Sequence, residues 1–153
     1  MGKSINMDLI YLDYNCFQRG FDDPGQTRIQ MEALACQEIF VRAEAGAIKL
    51  VWSFIHLDET NLCPFPDRKY AILGMTSLCQ VRLGPTENIL QLAKSFQATA
   101  NLSSKDALHL ACAVEVKADF FLTCDDDLRK KGQKLNQNIE LLNPITYITK
   151  EGD

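Results

Sequence analysis

The chain has no apolar run near the roughly 18–20 residues of a membrane span. Its first residues, Met1-Gly2-Lys3-Ser4, lack the apolar stretch of a signal peptide. The expectation is a soluble, cytoplasmic protein with no membrane partner. The six cysteines include no C-x-x-C, the nearest pair being Cys112 and Cys124. Zinc and redox motifs are therefore missing. Most of these thiols sit in apolar segments such as Leu110-Ala111-Cys112-Ala113, where a reduced thiol acts as a small hydrophobe. Histidine is scarce too, with only His56 and His109. His109 follows Asp106 by three residues, so the two can share a helix face. Packing or a hydrogen bond to a nearby acid is expected of it rather than catalysis. Internal repeats, low-complexity tracts and linkers are absent.

What is present fits a globular protein. Of 153 residues, 46 % are hydrophobic and 24 % charged, with a formal charge of −4, which excludes a disordered chain. The length suits one domain over residues 1–153. Residues 1–6 read as a disordered leader ahead of Met7, and residues 149–153 as a tail.

Short apolar runs at 8–12, 48–52, 120–123 and 139–142 read as buried strands, with a little more sheet at 145–148. Helical spacing runs over 26–45, stopped by Gly46. Ser53 caps a helix that carries residues 54–59, and Pro64 and Pro66 follow. Further helices are expected over 67–81, 86–100 and 104–117. Strands alternating with helices predict an α/β fold, a three-layer α/β/α sandwich with a central parallel sheet. Ligands of such sheets bind beyond the carboxyl ends of the strands.

Acids stand at those ends. The first strand ends in Asp13. The second ends in Ser53, with Glu59 one to two turns on. The strand at 120–123 ends in Thr123, then Asp125, Asp126 and Asp127. Asp106 lies in the first turn of the preceding helix. Gathered carboxylates repel and raise one another's pKa, and a divalent cation is the usual compensation. Mg²⁺ or Mn²⁺ suits an all-oxygen donor set and serves phosphodiester hydrolysis. Each acid also has a plainer reading. Asp13 can close an Asx turn, Glu59 can be a solvated helix acid, Ser103 to Asp106 fits a capping box, and Asp125 can cap a final helix. Arg129, Lys130, Lys131 and Lys134 form a basic stretch, read either as charge at a helix C-terminus or as phosphate contacts.

Leu12-Asp13-Tyr14-Asn15, the Ser53-to-Glu59 spacing, Asp106-Ala107-Leu108-His109-Leu110-Ala111 and Leu122-Thr123-Cys124-Asp125 together resemble the PIN domain family, in the manner of VapC-type toxin ribonucleases. The resemblance implies a Mg²⁺- or Mn²⁺-dependent endonuclease acting on RNA. By position it makes Asp13, Glu59, Asp106 and Asp125 the metal-binding and catalytic acids, with Asn15 and Thr123 as orienting neighbours. Asp127 would be a further metal-binding carboxylate. Glu59 is preferred to Asp58 on its spacing from Ser53. The implied partners are a protein antitoxin and a second copy of the chain. Two rivals remain: a phosphatase or phosphoacceptor on a similar sheet, and a non-catalytic interaction module. Against the phosphatase, Asn15 cannot serve as a general acid.

Overall fold

The structure, a computed structural model, describes residues 7–135 and 137–151. The expected leader, residues 1–6, lies outside the described residues, as do the last two of the tail.

Five parallel strands form one sheet: β1 (Leu9–Leu12), β2 (Lys49–Ser53), β3 (Val81–Leu83), β4 (Phe120–Leu122) and β5 (Glu140–Leu142). Their spatial order is β3-β2-β1-β4-β5. The chain builds outward from β1 to one side, then crosses back to lay β4 and β5 on the other. The switch in direction falls between β1 and β4, where Ile10, Tyr11 and Leu12 pair with Phe120, Phe121 and Leu122. That is where an α/β sheet opens a crevice at its carboxyl edge.

Alternation along the strands makes two cores. Ile10, Leu12, Leu50, Trp52 and Leu122 face one layer, where Phe17, Ile39, Ile72 and Tyr147 meet them. Tyr11, Val51, Phe121 and Leu141 face the other, against Ile89, Phe96 and Leu110. Each fully buried Leu, Ile or Phe contributes roughly 1.5–3 kcal/mol. The first layer is built from α1 (Tyr14–Gln18), α2 (Thr27–Glu44), α4 (Pro66–Gly74) and α8 (Pro144–Glu151), and the second from α5 (Glu87–Ala100), α6 (Ser104–Glu115) and α7 (Asp126–Gln133). α3 (Phe54–Asn61) follows β2 directly. The three-layer sandwich with a parallel sheet is the architecture expected from the sequence.

Several helix boundaries follow from local chemistry. Gly46 takes φ +80° just after α2, a conformation glycine adopts without strain. Thr86 caps α5 through a bond from Ile89 N, and Asn101 ends it in the left-handed conformation. Gly132 lets α7 lie against β5, since a Cβ there would collide with Leu141 Cδ2.

Two expectations are corrected. The helix over 67–81 stops at Gly74, gives one 3-10 turn at Met75–Leu78, and yields the edge strand β3. The Thr76 and Ser77 hydroxyls bond the carbonyls of Leu73 and Gly74, which favours a turn over continued helix. Residues 145–148 are not sheet but part of α8. Their β-prone composition is overridden by an opening Pro144, a cap from Asn143 Oδ1 to Ile145 N at 2.8 Å, and packing of the helix against α2.

Candidate active site

Asp13 sits at the mouth of the switch point, buried and doubly employed. Its Oδ1 accepts from Tyr14 N at 2.8 Å, capping α1. Its Oδ2 accepts from Thr123 Oγ1 at 2.7 Å and Asn15 Nδ2 at 3.1 Å. Thr123 also accepts from Asp125 N at 3.0 Å, so one hydroxyl joins the ends of β1 and β4. Asn15 Oδ1 accepts from Cys124 N at 3.2 Å. Asn15 and Thr123 thus hold the Asp13 carboxylate, and Thr123 also holds the Asp125 backbone.

Glu59 reaches the same region from α3. Ser53 fixes this helix with a reciprocal cap: its hydroxyl accepts from His56 N, and its own N–H donates to His56 Nδ1 at 2.9 Å. His56 Nε2 therefore carries the proton and donates to Leu12 O at 2.7 Å. Burial holds His56 well below its usual range, so it is neutral. Glu59 Oε1 accepts from His109 Nε2 at 2.5 Å, and His109 Nδ1 meets Tyr11 Oη at 2.6 Å. Tyr11 Oη in turn lies 2.8 Å from Ser53 Oγ. This buried chain locks Glu59 in place. Asp58, the neighbour, is exposed.

Asp106 opens α6. Ser103 Oγ accepts from Asp106 N at 3.1 Å, so the serine half of the expected capping box is present. Asp13 and Asp106 are displaced from ordinary carboxyl behaviour. Burial raises Asp13, outweighing the His109 charge and the Thr123 bond, and Asp106 raises it further. Burial raises Asp106 too, against a Ser103 hydrogen bond, and both Asp125 and Glu59 add repulsion. Asp125 caps α7 with one oxygen, Oδ1, which accepts from Asp127 N and Leu128 N. Both capping bonds fall on Oδ1.

The four expected acids thus lie at one end of the sheet, with Asp106 within electrostatic reach of the other three. They are not within coordination reach: among the described residues, no three His, Cys, Asp or Glu side chains form a group that could hold a metal ion. In donor chemistry the set fits a hard divalent cation, being carboxylate oxygens that repel in the absence of a positive partner.

Other expected residues stand apart. Asp126 turns to α2, where Arg28 grips it through two bonds of 2.8 and 2.9 Å. Arg28, then Arg129, lower its pKa to about 2. Asp127 is exposed and pairs with Lys131 at 3.1 Å. Lys131 also donates to Asn101 O, Arg129 leans on Asp126 at 3.5 Å, and Lys130 is exposed. The cation beside the acids is Lys105, 3.8 Å from Glu59. Sequence reasoning overlooked it, although its place before Asp106 was a usable signal. It also overlooked Tyr11, whose hydroxyl was hidden within an apolar strand.

A family model described as PIN domain matches residues 10–134. The chain belongs to the PIN-domain family. PIN domains are generally nucleases and generally use divalent metals. The fold is similar to a chain in the crystal structure of VapBC2 from Rickettsia felis bound to a DNA fragment from their promoter. That likeness has a TM-score of 0.57 at 12 % identity, over 88 % of this chain and 98 % of that one. No curated protein sequence matches the chain. Among the described residues no helix is long and apolar enough to cross a membrane.

Proposed function

We propose that this PIN domain is a Mg²⁺- or Mn²⁺-dependent endoribonuclease of the cytoplasm, acting as a single domain and as the toxin of a toxin–antitoxin pair. The observation that carries the reading is the convergence of Asp13, Glu59, Asp106 and Asp125 at the carboxyl end of the sheet, with Asp106 repelled by the other three. A bound divalent ion would supply the charge that assists attack on a phosphodiester and departure of its leaving oxygen. Asp13, Glu59, Asp106 and Asp125 would hold it, whereas Asp127, exposed and paired with Lys131, stays outside.

The protein's own contribution is preparation. Thr123, Asn15 and the Tyr14 N–H hold Asp13 in one rotamer. The Tyr11–His109 chain does the same for Glu59. Lys105 offsets part of the repulsion that a phosphate meets beside carboxylates. Arg129, Lys130 and Lys131 would contact the RNA backbone further along α7.

A protein partner is supported by an apolar groove of about 590 Å³ lined by Phe17, Phe21, Leu34, Phe40 and Met75, among others. Leu34 stands 66 % exposed at its edge, and covering such side chains would favour association. An antitoxin segment or a second copy would cover it. The fold likeness to a chain of a VapBC2 complex agrees with this role.

The test is an RNA cleavage assay with and without chelator. Cleavage that needs Mg²⁺ or Mn²⁺ and disappears in Asp106→Asn supports the reading. A chain that neither cleaves RNA nor binds Mn²⁺ is instead a non-catalytic module.

A further inference from the structure

Beside Glu59 lies a second, smaller cavity of about 280 Å³, with Tyr14, Gln18, Glu59, Phe65, Arg68 and Lys105 in its wall. We propose that it receives one unpaired nucleobase of single-stranded RNA, stacked on Phe65, with the adjoining phosphate on Lys105. This inference rests on the ribonuclease reading and specifies how that site takes its substrate.

Phe65 is an exposed aromatic ring, 58 % accessible, in the segment Cys63-Pro64-Phe65-Pro66. A proline on each side stiffens the backbone around it. The ring also has a fixed support. The Arg68 guanidinium lies 5.2 Å from its centroid and 5.7 Å from that of Phe21. Arg68 is itself tied down, donating to Phe21 O at 2.8 Å and lying 3.8 Å from Asp22. A flat apolar face is thus held ready in water, so little freedom is lost when something stacks on it.

The surrounding chemistry selects the occupant. The cavity is smaller than the ~300–1,000 Å³ that buries a drug-sized ligand whole, which suits one base with its sugar left outside. Gln18 brings an amide, both donor and acceptor, to the wall. Lys105 is 58 % exposed on its side chain and stands 3.8 Å from Glu59, so the cavity wall that carries the ring also carries a cation next to a site acid. Glu59 is shared by both sites, so a base in the cavity sets the neighbouring phosphodiester toward the carboxylates. An aromatic platform followed by a cation is the arrangement that grips single strands. A duplex keeps its bases stacked inside and offers none to this cavity.

The experiment measures binding rather than turnover. Anisotropy of a labelled single-stranded RNA oligonucleotide is followed in chelator, using the full chain. Phe65→Ala is expected to weaken binding about tenfold, within the roughly 5- to 150-fold typical of a lost base stack, and Phe65→Trp to retain it. Lys105→Ala weakens it several-fold and lowers the slope of log K against log salt by about one. Tyr70→Ala, at a still more exposed aromatic on α4, changes binding less than twofold. A duplex of the same sequence binds wild type and Phe65→Ala alike. The proposal is overturned if Phe65→Ala binds the single strand as wild type does, if it loses duplex and single strand equally, or if wild type binds no single strand. A thermal melt confirms that each variant is folded. Metal-dependent cleavage with an unaffected Phe65→Ala sinks this proposal alone. Base-dependent binding without cleavage sinks the nuclease reading alone.

Discussion

Glu32 and Asp106 show two ways in which this fold handles a carboxylate. Glu32, on α2, is wholly buried, and burial alone would push its pKa up. Asn143, Arg28 and Arg19 outweigh that effect and hold it below its usual range, with contacts of 2.7, 3.0 and 2.9 Å. Asp106 is less buried, yet its pKa is raised, because burial is joined by repulsion from Asp125 and Glu59. The chain places two arginines on a structural acid, whereas Glu59 at the site has His109 at 2.5 Å and a lysine at 3.8 Å. Mutual repulsion outlasts those partners at Asp106, and an external cation is what such a group attracts.

The contrast is broken most heavily at the site. Asp106→Asn should lower RNA cleavage by at least about a hundredfold, the scale for losing a group that fixes a catalytic charge, while circular dichroism shows an unchanged fold. The structural acid should fail differently. Glu32→Gln leaves Arg19 and Arg28 without their anion and should cost about 2–4 kcal/mol of stability in a urea titration. Arg28 also grips Asp126, so the loop after β4 should loosen too.

The alternative at α3 sharpens the comparison further. Glu59→Gln should reduce cleavage roughly tenfold or more, because the His109–Glu59 contact and a site charge are both altered. Asp58→Asn, at an exposed neighbour, should stay within about twofold of wild type.

The smallest effect carries an informative sign. A carboxyl with a raised folded pKa contributes stability below its unfolded pKa and loses that contribution as pH rises through the folded value. At neutral pH without metal, ionised Asp106 therefore opposes folding. Asp106→Asn should raise Tm by on the order of 1–3 °C in chelator at pH 7. The difference should shrink as pH falls through the raised pKa of Asp106. Glu32→Gln should lower Tm under the same conditions.

Much of the architecture was legible because it rests on local rules. An apolar run ending in Asp13, the Ser53 cap before α3 and the Ser103 cap before α6 each mark an element and its end. Residues 75–81 and 145–148 were misread because tertiary contacts decide them: β3 forms by pairing with β2, and α8 by packing on α2 and on Phe120 of β4. The acids of the site were legible one by one. Their division of labour was not, since Asp125 caps with one oxygen while Asp126, one residue on, turns to Arg28. That depends on which partner waits across the fold. The Tyr11–His109–Glu59 chain spans three elements and has no signature in linear spacing.

The central claim is that the acids gathered at the β1/β4 switch point repel one another and that a divalent ion relieves the repulsion. A thermal titration with Mn²⁺ tests it most directly. Wild-type Tm should climb with Mn²⁺ concentration and then level off, and Asp106→Asn should lose most of that rise. Superimposable melts of the wild-type chain in Mn²⁺ and in chelator would contradict the account.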